Sequence, residues 1–312
     1  TGEDTLSLHD ALPISNNERY DRYRVDGQTL RQTFVNWLYD RPGLKIAIEP
    51  ADCEVNPTGA WYDPAQNGHG LVVQQLLGRR VLATWYTFDP EGRQAWFIGD
   101  GAYDGRVATL TNVRTLGTFF PPNFVPANAQ NQPFGTMTLT FDSCRAGRVD
   151  FDLPQGFGRG SMSLTRLTQP TDVECDGIAA QASTGTLASA TGAWYDPSQN
   201  GHGLFVESLP GNQVLATWYT FGPAPAGGQA WMVAVGAGSG NSVQLSMLKT
   251  AGGRFIPNFN PALITNPVLG PATLTLSGCN AGRLDYSLGL GFGTGELNLV
   301  RLTKPVGTTC LP

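Results

Sequence analysis

Charged residues are scarce in this chain: Asp, Glu, Lys and Arg together make up 14%, against about a quarter in ordinary globular proteins. The basic residues form no run and the net charge is −5, so the electrostatic footprint of a nucleic-acid-binding protein is missing. No apolar stretch approaches the roughly 20 residues needed to cross a bilayer as a helix. Histidine occurs three times, and the five cysteines include no CxxC pair and no histidine neighbour, which leaves zinc without a ligand set. What the chain has in quantity is turn formers, with Gly 39 and Pro 22. That composition points to many short strands and tight turns.

The second abundance is repetition. GAWYDPAQNGHGL, Gly59 to Leu71, returns as GAWYDPSQNGHGL, Gly192 to Leu204, differing only at Ala65 and Ser198. VLATWYTF at Val81 to Phe88 returns unchanged at Val214 to Phe221. Trp61 and Trp194 are 133 residues apart, and Cys144 and Cys279 are 135 apart. A period of that length with strand-like content means two copies of one small all-β domain. A functional site should therefore appear twice.

Cys144 and Cys175, and likewise Cys279 and Cys310, are separated by 31 residues at equivalent positions. One disulfide per repeat follows, which implies an oxidising compartment, secreted or periplasmic. Closing a loop of this length stabilises a domain by about 3–4 kcal/mol in the chain-entropy model. Cys53 is left over, with an upstream partner or a free buried thiol as the alternatives.

The N-terminal region reads differently. Thr5 to Ser15, TLSLHDALPIS, is the in-frame translation of a widely used sequencing-library adapter, so residues 1–15 are expected to be an assembly artefact and His9 drops out. Residues 16–53 look like the remnant of an upstream domain. Leu30, Phe34, Trp37 and Leu38 make an amphipathic helical stripe, Asp26 can cap it, and Pro42-Gly43 ends it. One short helix has too little apolar face to fold alone. YRVDGQTLRQTFVNWLYD followed by Cys53 resembles the closing strand and helix of secreted α/β-hydrolase-type esterases, such as bacterial pectinacetylesterase-like proteins. The resemblance implies that the missing domain is a hydrolase.

Within the first repeat, spanning 54–175, eight strand-like segments fall at 59–63, 69–77, 80–88, 94–101, 106–114, 135–142, 147–153 and 159–168. Asn67-Gly68, Asp89-Pro90-Glu91-Gly92 and Asp104-Gly105 mark the turns. Short connections favour an antiparallel meander, and eight strands can close into an up-and-down barrel. The fold expected is thus all-β: two tandem eight-stranded barrels, the second at 192–312, joined by a flexible linker at 176–191. A soft tether would let the two copies engage neighbouring ligands together. The longest loop in each copy carries Pro-Asn-Phe, at Pro122-Asn123-Phe124 and Pro257-Asn258-Phe259. It is either a functional loop or a hydrophobic lid in which Phe119, Phe124, Phe255 and Phe259 plug a barrel end.

Gly59-x-Trp61 with Arg166 near the end of the last strand, and Gly192-x-Trp194 with Arg301, resemble the lipocalin and avidin-like (calycin) barrels. Those families open with Gly-x-Trp and cover the tryptophan with a late arginine. Here the avidin-like Trp-Tyr-Asn is Trp-Tyr-Asp, so biotin binding does not carry over. The WYDPxxxGHG repeat is also similar to uncharacterised repeats at the C-termini of secreted bacterial proteins, which implies location more than activity.

Asp63 and His69, repeated as Asp196 and His202, are the first candidate site. They can act as an acid–base pair, contact a ligand, or simply start a turn and pack at the barrel mouth. No nucleophilic serine or cysteine accompanies them in both copies, and one Asp with one His is too few for a metal. Of the paired aromatics, Trp61 and Trp194 read as core. Tyr62, Tyr86, Tyr195 and Tyr219 face either outward, for stacking on sugar rings, or inward. Asn67 and Asn200 complete the candidate ligand set. Gln94 and Gln229, with Arg148 and Arg283, line the same mouth or face water. The function expected is a non-catalytic binding or attachment module for a polysaccharide, cell surface or small molecule, with no cofactor, no metal, no nucleic acid and no membrane span. The alternatives are an appendage of a secreted hydrolase and a purely structural spacer.

Overall fold

A computed structural model describes residues 55–175 and 186–308. The expected helix at 30–38, Cys53, Cys310 and the adapter-like segment lie outside the described residues. The first repeat runs β1 (Gly59–Tyr62), β2 (Gly70–Leu76), β3 (Arg80–Phe88), β4 (Gln94–Tyr103), β5 (Val107–Leu116), β6 (Gln130–Phe141), β7 (Ala146–Leu153) and β8 (Gly158–Arg166). The second runs β9 (Gly192–Tyr195), β10 (Gly203–Leu209), β11 (Gln213–Phe221), β12 (Gln229–Ser239), β13 (Ser242–Leu248), β14 (Val268–Leu276), β15 (Ala281–Leu288) and β16 (Gly293–Arg301). Each set is an antiparallel meander closed into a barrel, β1 pairing with β8 and β9 with β16. Cys144 and Cys175 form a disulfide.

Strand alternation sorts the side chains. Trp61, Leu71, Val73, Trp85, Phe97 and Leu110 point into the first barrel, and Trp194, Leu204, Val206, Trp218, Met232 and Leu245 into the second. Arg166 lies over Trp61 and Arg301 over Trp194, each 5.7 Å from the ring centroid. Arg166 Nε donates to Thr168 O at 2.9 Å, and Arg301 Nε to Thr303 O at 3.0 Å. A side chain at Gly59 or Gly192 would collide with that same carbonyl, which accounts for the glycine of each Gly-x-Trp.

β6 begins at Gln130, inside the stretch expected to be loop. Its first residues are polar and contain Pro133, which hides the strand. They nevertheless pair with β5 beside a bulge at Thr111/Val113, where a proline is tolerated. Residues 186–191, expected to belong to a flexible linker, include a 3-10 turn at Thr186–Ser189, and Leu187, Ala190 and Thr191 are buried. Ala190 O accepts the indole N–H of Trp194 at 2.8 Å, so that end of the linker is held by the second barrel.

The barrels are not independent. Outward residues of β1–β4, among them Val72, Tyr86, Phe88 and Trp96, pack on their counterparts Phe205, Tyr219, Phe221 and Trp231 in one buried cluster. Gln94 Nε2 donates to Trp231 O at 2.8 Å and to Thr250 O at 3.0 Å; Gln229 Nε2 donates to Trp96 O at 2.6 Å and to Thr115 O at 3.2 Å. The indole of Trp96 donates to Thr220 O, and that of Trp231 to Thr87 O, both at 2.8 Å. The long loops cross over. Phe120, from the first repeat, is fully buried in the core of the second barrel against Trp218, Tyr286 and Phe292. Phe255 fills the first barrel against Trp85, Phe151 and Phe157. The lid therefore exists, but each repeat supplies it to the other, and its plug in copy one is Phe120; Phe119 packs near Gly227 instead.

Glu207 and its counterpart Gln74 are both buried in the contact between repeats. Thr168 donates to the Glu207 carboxylate, as Thr303 donates to Gln74 Oε1. Burial pushes the Glu207 carboxyl up to about 7, against the opposing effects of Thr168 and Arg166. The folded state thus favours the protonated acid. Its stabilisation is complete below the ordinary carboxyl value and is lost as pH rises through about 7. Glu207→Gln, which restores the Gln74 solution, should raise stability at pH 8 by roughly 1–3 kcal/mol and leave it nearly unchanged at pH 4 in urea titrations. Equal effects at both pH values would contradict an ionising carboxyl in the interface.

Candidate functional site

The repeated WYDPxQNGHG hairpin builds the same object twice. Asp63 precedes a 3-10 turn at Pro64–Gln66, and its carboxylate accepts from Ala65 N at 2.9 Å and from Gln66 Nε2 at 3.1 Å. Asp196 does the same for Ser198, accepting from its N at 2.8 Å and its Oγ at 2.6 Å, and also takes Asn298 N at 2.9 Å. Both aspartates are thereby engaged in capping. Asn67 and Asn200 are exposed. Gly68 and Gly201 follow, with φ of +134° and +129°. A side chain on either would fall 2.7 Å from Ile264 Cγ1 or Ala129 Cβ of the other repeat, so glycine is required by both conformation and contact.

His69 and His202 are buried. Each Nδ1 accepts the indole N–H of the inward tryptophan, Trp85 or Trp218, at 3.3 Å, and lies 3.0 Å from the hydroxyl of Thr87 or Thr220. With Nδ1 accepting, the ring proton belongs on Nε2. His69 stacks on Phe259 with centroids 4.4 Å apart, and His202 on Phe124 at 4.7 Å. The hairpin is therefore the socket for the partner repeat's Pro-Asn-Phe loop.

Burial drives His69 down to about 3. It takes His202 to about 4, with Asp196 pulling the other way. A ring whose only basic nitrogen is turned into the core does not serve as a general base at neutral pH. Of the roles offered for His69 and His202, packing is the one observed, and acid–base work and ligand contact are withdrawn; Tyr86 and Tyr219 are withdrawn as ligand residues too, because their outward direction leads into the contact between barrels. Burial raises the pKa of both phenols. Asp196 is buried as well. Of the expected ligand residues, Tyr62 and Tyr195 are half-buried, Asp63 is intermediate, and Asn67 and Asn200 face water. Gln94 and Gln229, read as lining a mouth or facing water, are the cross-barrel hydrogen-bonding pair. Arg148 and Arg283 lie on the surface and pair with Asp150 and Asp285.

Among the described residues, no group of three or more His, Cys, Asp or Glu is placed to hold a metal ion, and no helix is long and apolar enough to cross a membrane. A groove of about 400 Å3 runs between Gly156–Ser161 of the first barrel and Phe255–Asn258 of the second, with Pro90 at its side. The residues around it were not singled out in the sequence; the recurrence of GFGRG as GFGTG, at 156–160 and 291–295, was the available signal. No protein-family model, curated protein or solved structure matches the chain.

The depressed histidines fix a pH dependence. Below pH 6.5 the unfolded chain takes up two protons that the folded chain refuses, so stability falls as pH drops. Glu207 acts in the opposite sense over the same range, with one proton against two. Stability should therefore decrease from pH 6.5 to 5 in the native protein. In a His69→Gln/His202→Gln variant it should instead rise slightly over that interval. An unchanged slope in the variant would contradict the burial of neutral imidazoles.

Proposed function

We propose that these paired barrels are a non-catalytic attachment module of a secreted or periplasmic protein, working through their outer surface. The observation that carries this reading is the filling of both interiors: each barrel core is packed with aromatic side chains and closed by a phenylalanine of the other repeat. That leaves the inside of the barrel to packing rather than to a ligand. The Cys144–Cys175 disulfide supports an oxidising compartment. Resemblance to calycin barrels, through the arginine-covered Gly-x-Trp, then extends to the scaffold and not to an internal ligand site.

Of the candidate residues, those left accessible to a polysaccharide occur twice: Tyr62 with Asn67, and Tyr195 with Asn200. A half-buried tyrosine offers a ring face for stacking on a sugar, and the exposed asparagine offers amide hydrogen bonds to hydroxyls. A second reading, a rigid spacer for an upstream hydrolase, is favoured by the tight joining of the repeats. A glycan and polysaccharide array probed with the labelled protein separates the two. Saturable binding to one polymer class, weakened about tenfold or more in a Tyr62→Ser/Tyr195→Ser variant, is the result expected of the attachment module. No binding by folded protein would leave the spacer. Tryptophan emission is a poor readout, because all six tryptophans of the described residues are buried.

A further inference from the structure

The closure of the first barrel is incomplete along β8. β1 ends at Tyr62, opposite Thr165, and pairs no further toward the start of β8. Arg166 N donates to Arg145 O on the β7 side at 3.0 Å. In an antiparallel ladder alternate residues address the same neighbour, so Leu164, Met162 and Gly160 also turn their backbone groups to β7. Ser163, Ser161 and Arg159 turn theirs the other way, toward the place β1 has vacated. All three are exposed.

The second barrel has the same shortfall and seals part of it. β9 ends at Tyr195, opposite Val300, but Asp196 reaches back and its carboxylate takes the N–H of Asn298. Asn298 is the counterpart of Ser163. In the first barrel the matching carboxylate oxygen of Asp63 takes Gln66 Nε2 instead, which leaves the Ser163 N–H unsealed. Arg159 and Ser161 of this open edge lie in one wall of the groove described above, whose other wall is the crossed-over Phe255–Asn258 loop, and Ser163 continues the edge beyond it.

We propose that this groove takes an extended peptide segment of a partner protein, added to β8 as an extra strand. Arg159 and Ser161, whose outward backbone groups have no strand partner, line the cleft and supply main-chain affinity, as in other strand-addition modes, and an unpaired edge is the feature natural barrels otherwise abolish. At Gly158 no atom lies within 4 Å of where a side chain would begin, which leaves room for the incoming backbone. Pro90 and Ile256 at the rim favour small apolar side chains on the strand. Arg159, paired with Asp152 at 2.8 Å and largely exposed, favours an acidic flank. The inference goes beyond the polysaccharide reading and survives its failure, since Tyr62 and Tyr195 are not in the groove.

The test uses the full chain on an array of heptapeptides, followed by titration of the best binder. Ser161→Pro removes an outward N–H while leaving the β7 ladder intact, and should weaken binding about tenfold or more. Independently, on the unaltered protein, N-methylating the peptide at every second residue should abolish binding in one phase of the alternation and spare it in the other. Binding that tolerates methylation in both phases, or is unchanged in the proline variant, would overturn strand addition. So would a folded protein that captures no heptapeptide while Tyr62→Ser/Tyr195→Ser still alters glycan binding.

Discussion

Each barrel is finished by a phenylalanine that belongs to the other repeat, and most of what is unusual in the structure follows from that exchange. Phe255 sits among Trp85, Phe151 and Phe157, and Phe120 among Trp218, Tyr286 and Phe292. A fully buried phenylalanine contributes on the order of 3–5 kcal/mol by the cost of its truncation. Neither core can be separated from its neighbour without opening a hole of that size. The glutamine pair Gln94/Gln229 and the indoles of Trp96 and Trp231 then satisfy polar groups that the exchange buries. The two barrels accordingly fall in one compact unit of the chain.

The exchange also explains why the hairpin motif is nearly identical in the two copies. Its aspartate caps the turn, its glycine makes space for the neighbour's loop, and its histidine stacks on the neighbour's phenylalanine. Every one of those tasks is fixed by the same interface, met twice. A motif that looks catalytic because it holds Asp and His is here a fitting between domains. The two copies nevertheless differ in what their aspartates reach: Asp63 leaves a strand edge open and Asp196 helps to close the matching one.

Much of the barrel was legible. Turn dipeptides such as Asn67-Gly68 and Asp104-Gly105 located hairpins, and strand alternation placed Trp61 and Trp194 in the core. The ownership of the lid was not legible, for a reason intrinsic to repeats: a loop that folds back and a loop that crosses over leave the same pattern when both copies are alike. The same degeneracy hid Tyr86 and Tyr219: alternation within Trp-Tyr left their direction open between outward and inward, and gave no sign of the barrel waiting outside. Gln94 and Gln229 read as lining a mouth or facing water, and only the partner backbone reveals them as buried. The start of β6 was masked by Pro133, which the bulge at its neighbour accommodates.

The account stands or falls on whether the two barrels unfold as one. Native-state hydrogen exchange on Phe255→Ala, compared with the unaltered protein, tests this most directly, because the substitution lies in the second repeat and empties space in the first. Interlocked barrels predict that slow amides in β3 and β4 and those in β11 and β12 lose protection by the same amount, about 3–5 kcal/mol. A loss confined to the first barrel, with the second untouched, would show two independent domains and contradict the exchange as the basis of stability.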